Sequence, residues 1–193
     1  MLDAEYQRNP SALTDKRSTS TRNSTPRSTI RFIKSLSVRL KKSRSIYEQF
    51  FCLVKRLSRF FTLSRAVLVV HSSHQDVLKV IAIKGVRLTR QGLALTLPEK
   101  DSLLYSVFRE KRMYSEDFSS LFKGNFIERK LLLDKDTGSF AVCPIECDGS
   151  TRGLLCLTSP FPYTFSIFEE GLLNGVMERF GRLIEKEMQR LSI

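Results

Sequence analysis

Four cysteines and two histidines are the residues of this chain best suited to nucleophilic, redox or metal chemistry. Cys52, Cys143, Cys147 and Cys156 form no CxxC pair, and with His71 and His74 they make no cluster at zinc spacing. Cysteines at strand and helix positions read first as small apolar core residues, with a redox or metal role as the alternative. Cys143 and Cys147, four apart in a predicted strand, share a face but stand roughly 13 Å apart, too far for a disulfide. Asp134-Lys135-Asp136 lacks the remaining positions of a calcium loop. The sequence has no GxSxG, HExxH, phosphate-loop or dinucleotide fingerprint.

The elements that must position these residues come from patterning. Ser139 to Ser159 holds two apolar, β-prone runs around the polar turn Asp148-Gly149-Ser150-Thr151, which predicts a hairpin. Its second run, Gly153 to Leu157, is apolar on both sides and predicts a strand covered on both faces. Ser45-Ile46-Tyr47-Glu48 fits a helix cap, followed by Ile46, Phe50, Leu53, Val54, Leu57, Phe60 and Phe61 at helical spacing. Residues 66–71, 77–84 and 92–97 read as strands. A helix capped by Asp101 or Ser102 follows, then a very short edge strand at 112–114 and a one-to-two-turn helix around 126–133. A second cap at Ser166-Ile167-Phe168-Glu169 opens a long final helix with a Phe168, Leu172, Val176, Phe180, Leu183, Ile184 stripe.

Charge divides the chain unevenly. Residues 1–45 hold 11 Lys+Arg against 3 Asp+Glu, so most of the net charge of +12 belongs to the N-terminal segment. Residues 1–28, with ten Ser or Thr between Ser11 and Thr29, read as a disordered tail. Residues 29–44 read as a basic amphipathic linker or helix, and 45–191 as the folded domain. The first ten residues do not form a secretory signal, and no apolar run approaches the roughly 20 residues that span a bilayer. The protein is expected to be soluble and cytoplasmic.

The order and the residues together resemble the GAF domain. Ser139 with the strand through Val142-Cys143-Pro144-Ile145, the turn Asp148-Gly149 and Arg152-Gly153-Leu154-Leu155 resemble motifs of that family. So does Phe165-Ser-Ile-Phe-Glu-Glu-Gly-Leu-Leu. The resemblance implies an α+β fold with a central antiparallel sheet of five to six strands. The first and last helices would lie on one face, with small helices and an irregular segment on the other. Pro144 is then expected at an edge or unpaired site, and Gly153 where another element approaches closely. The resemblance also implies a pocket beside residues 113–135, with Tyr114, Phe118, Phe122, Phe126, Arg129 and Ser139 as candidate ligand-binding residues. The alternative is that the three phenylalanines plug it.

No chemistry of the family transfers to these residues. Bilin-binding relatives use a Cys near an Asp and a His in the pocket, whereas His71 and His74 fall elsewhere. A branch that reduces free methionine sulfoxide uses several pocket cysteines, whereas Cys143 and Cys147 belong to a hairpin. The chain is therefore expected to be non-enzymatic, with no cofactor and no metal. It would be a sensory or regulatory module for a small molecule or protein partner, signalling through its terminal helices. With the sequence ending at Ile193, output is expected through a partner or a homodimer built on the first and last helices. The alternative function is a ligand-free scaffold whose basic arm, residues 8–44, contacts nucleic acid or an anionic membrane surface. A redox enzyme using Cys143 and Cys147 is the third.

Overall fold

Helix α1 (Ile46–Leu57) starts where the sequence signals it, with the Ser45 side chain accepting from the Glu48 amide. The computed structural model describes residues 45–86, 88–166 and 174–191. The predicted tail at 1–28, the basic segment at 29–44 and positions 167–169 of the second cap lie outside them. After α1 come β1 (Arg65–Ser72), β2 (Val77–Gly85) and β3 (Thr89–Thr96). Next are α2 (Leu103–Glu110), β4 (Tyr114–Glu116), a 3-10 turn at Ser119–Leu121 and α3 (Phe126–Leu132). The chain closes with β5 (Ser139–Cys147), β6 (Ser150–Ser159) and α4 (Asn174–Leu191).

The six strands form one antiparallel sheet in the order β3-β2-β1-β6-β5-β4. The architecture is α+β, as the sequence leads one to expect. Alternation along each strand splits the apolar residues between two faces. Ala66, Leu68, Val70, Ala82, Ala141, Cys143, Ile145, Leu155 and Leu157 pack against α1 and α4. From the helices come Phe50, Leu53, Leu57, Val176, Phe180 and Ile184. Val67, Val69, Leu78, Val80, Phe140, Val142, Leu154 and Cys156 face the other way, under α2, α3 and the irregular segment.

The hairpin closes with Asp148 at φ 48° and Gly149 at φ 74°, the two positive angles of the tight turn whose twist suits paired strands. Pro144 pairs only with β6, because β4 reaches no further than Val142. A β-carbon at Gly153 would collide with the Val69 carbonyl of β1. Both positional expectations therefore hold for physical reasons.

Three boundaries move. The sequence carries the first helical stripe on to Phe60 and Phe61, whereas α1 ends at Leu57 and Phe60 lies exposed beyond it. The short edge strand is 114–116, not 112–114, because Lys111 adopts φ 57° and the next two residues carry the chain out of α2. Strand β3 begins three residues earlier than predicted. Its register slips between Val80 and Ala82 of β2, opposite Gly92 at φ 69°.

Candidate functional site

The residues expected to line a pocket are distributed over the α2/α3 face and its margins. Phe122 is buried there, its ring edge-on to Phe140 at 5.3 Å. Tyr114 flanks the same Phe140 ring at 6.1 Å and donates its hydroxyl to Glu116. Burial, that hydrogen bond and the neighbouring charge push the phenol up to about 12. Ser139 is fully buried and donates to the Phe161 carbonyl at 2.6 Å. Phe118 is 43% exposed and meets Tyr163 edge-on at 5.0 Å. Phe126 is 70% exposed, with the Lys130 ammonium 5.2 Å from its ring centre, and Arg129 is exposed on the same helix.

The structure thus gathers Tyr114 and Phe122 around Phe140 and ties Ser139 and Phe118 to the 160–163 loop. Phe126 and Arg129 point away from both groups. Open clefts lie on both sides of the sheet. One of about 470 Å³ runs beside α2, lined by Glu99, Tyr105, Arg109 and Tyr114. Another, about 540 Å³, lies between α1 and the β2–β3 turn, lined by Val54, Lys55, Lys84 and Val86.

The residue that organises the α2/α3 face is Glu128, which sequence reasoning passed over. It is fully buried. Its carboxylate accepts from the Ser102 hydroxyl, from the Leu103 and Leu104 amides at 2.9 and 3.2 Å, and from the Asn125 amide at 3.3 Å. Asn125 in turn accepts from the Glu128 amide, completing a capping box on α3. One carboxylate therefore caps two helices, supplying negative charge at the N-terminus of α2. Burial raises its pKa above the ordinary carboxylate range, and the four donors oppose that rise. The Asn-x-x-Glu spacing at 125–128 was the available signal. Its second role, joining Ser102 across 26 residues, leaves no local pattern.

Cysteine chemistry is held in check by environment. Cys143, Cys147 and Cys156 are buried, and Cys52 is half-buried on α1. Burial pushes Cys143 up to about 12 and Cys156 well above its usual value. Cys147 is also pushed up to about 12, first by burial and then by hydrogen bonding to Glu185 and Asp148. A thiol kept protonated is a poor nucleophile and a poor metal ligand. Even so, Cys147, Asp148 and Glu185 bring their ligand atoms within 4.8 Å of one another, a set able to hold a metal. Arg152 already occupies one Glu185 oxygen at 2.7 Å. It is the residue that β6 inserts where the register slips between Ile145 and Glu146.

No family model and no curated protein matches the chain. Solved structures do. The GAF domain of an Acinetobacter phosphoenolpyruvate-protein phosphotransferase superimposes with a TM-score of 0.69 at 14% identity, over 86% of this chain and 98% of that one. The corresponding domain from Coxiella burnetii gives 0.71 at 15% identity, over 86% and 97%. Free methionine-R-sulfoxide reductase from Neisseria meningitidis, solved with its substrate, gives 0.66 at 12% identity, over 84% and 91%. The chain has a GAF-like fold. The expectation that it is not an enzyme is corrected here, because the same architecture carries a reductase. Architecture does not separate sensor from enzyme in this fold.

Proposed function

We propose that this chain is a cytoplasmic GAF-like regulatory module that passes its signal through the α1/α4 layer, to a second copy or to a protein partner. One observation carries the reading. On the face where the family resemblance places a ligand, the chain's own Phe122 is buried against Phe140, and the Glu128 carboxylate bonded to Ser102 sits in the same layer. On this reading Tyr114, Phe122 and Ser139 serve packing, while Phe118, Phe126 and Arg129 belong to the surface. The half-buried Tyr47 and Leu183, packed at the margin of the helix-face core, would sit at the dimer seam. Light scattering at tens of micromolar tests it: a dimer is expected, converted to monomer by Tyr47→Glu with the fold retained. A monomeric wild type defeats the dimer.

A second reading rests on the +8 balance of residues 1–45, which suits contact with phosphates. Replacing Arg31, Lys34, Arg39, Lys41, Lys42 and Arg44 by Gln should then abolish salt-sensitive binding to nucleic acid. Unchanged binding defeats that reading.

A further inference from the structure

We propose that the outer face of α3, with the turn before it, is a contact surface for an anionic lipid bilayer. Helical positions step by about 100°. Glu128, Leu131 and Leu132 therefore fall on one half of α3, and Phe126, Ile127, Arg129 and Lys130 on the other. Burial follows that division: the first set is buried and the second exposed. The preceding turn adds exposed Leu121 and Lys123. The outward set is thus three apolar side chains interleaved with three cations.

Its charge has one sign for a structural reason. Glu128 is the only acid between residues 121 and 130, and it is turned inward with both oxygens engaged. Exposure of Phe126 at the first turn is not that of an unanchored helix end. The capping box and the Ser102 bond fix this helix against α2. A rigid helix that shows water a Phe at 70%, with Leu121 at 53% and Ile127 at 42%, has an apolar surface in search of a cover.

The cover must be negative outside and apolar beneath. A bilayer rich in anionic headgroups offers phosphate and carboxylate at the depth of Lys123, Arg129 and Lys130, and hydrocarbon at the depth of Phe126, Ile127 and Leu121. Lys130 already lies along the Phe126 ring, the arrangement of a cation that reaches back to the headgroups from a buried aromatic. Nucleic acid fits less well, since two of the three apolar groups are aliphatic and stack on no base. The chain's charge of +12 favours approach to any negative membrane. This surface lies on the opposite side of the sheet from the α1/α4 layer and stands or falls independently of the dimer.

The chain contains no tryptophan, so Phe126→Trp in the full chain gives a single reporter. Vesicles of phosphatidylcholine with roughly 30% phosphatidylserine should shift its emission to the blue, and brominated acyl chains should quench it. Pure phosphatidylcholine vesicles should not, and about 0.5 M salt should reverse the shift. In the full chain, Phe126→Ser with Ile127→Ser should reduce vesicle partitioning at least about fivefold, with an unchanged melting temperature and the basic arm intact. The proposal is overturned if the chain does not bind these vesicles, or if it binds them with the reporter silent and the double variant unimpaired. A blue shift given by single-stranded oligonucleotide and not by vesicles would assign the face to nucleic acid instead.

Discussion

The two faces of the sheet are built by different rules. Under α1 and α4 the core is almost wholly apolar: Phe50, Leu53, Leu57, Phe180 and Ile184 interlock with alternating strand residues. Under α2 and α3 the aromatic cluster of Tyr114, Phe122 and Phe140 shares its layer with a buried carboxylate and its four donors. The first face depends mainly on volume and shape, with its polar groups (Gln49 and Arg56 on α1, Glu185 on α4) at the margin of the apolar core. The second depends also on the completeness of a polar network, where one missing partner leaves several buried groups unsatisfied.

The sharpest break of this contrast is a matched truncation. Phe180→Ala should cost about 4 kcal/mol in urea unfolding, nearly independent of pH. Glu128→Ala removes fewer atoms, yet should cost about 3 kcal/mol by stranding the Leu103, Leu104, Asn125 and Ser102 donors, with Glu128→Gln in between. Comparable losses from such different volumes would establish the polar rule. A Glu128→Ala loss under 1 kcal/mol would refute it.

A smaller effect tests the charge directly. Because burial raises the folded-state pKa of Glu128, the folded chain holds that proton more firmly than the unfolded chain does. Its contribution therefore favours folding below the ordinary carboxylate pKa and is lost as pH rises from there through the raised value. Glu128→Gln should flatten that part of the stability profile, and Phe180→Ala should leave it in place. The smallest effect is chemical. A thiol reagent should modify Cys52 in the native protein, and all four cysteines only after unfolding, since Cys143, Cys147 and Cys156 are buried and held as thiols. Rapid native modification of a second cysteine would show that the hairpin opens.

Features set by neighbours in sequence were legible. The Ser45 cap, the Asp148-Gly149 turn and the Pro144 and Gly153 placements follow from spacing and backbone demands, whereas the division of helices between faces came from the family resemblance. The candidate site was not, because its arrangement is tertiary. Phe122 and Phe126 are four apart in sequence, yet one is buried and the other 70% exposed. The chain turns through Gly124 and Asn125 between them, so no single periodicity relates the two. Arg65 illustrates the same limit: it donates to the Leu131 carbonyl at 2.7 Å from 66 residues away. Nothing near Arg65 announces that partner.

The strand order has a consequence for the time course of folding. Four of the five ladders join strands consecutive in the chain, as two three-stranded meanders. They meet along a single seam, Arg65–Val70 against Gly153–Thr158. Forming that seam closes a loop of more than eighty residues, from Val70 to Gly153, before any of its contacts can repay the lost chain entropy. Pairing of β1 with β6 is therefore expected to be the slow event of folding. Gly153, whose missing side chain lets the Val69 carbonyl approach, sits on that seam and sets how closely the two halves pack.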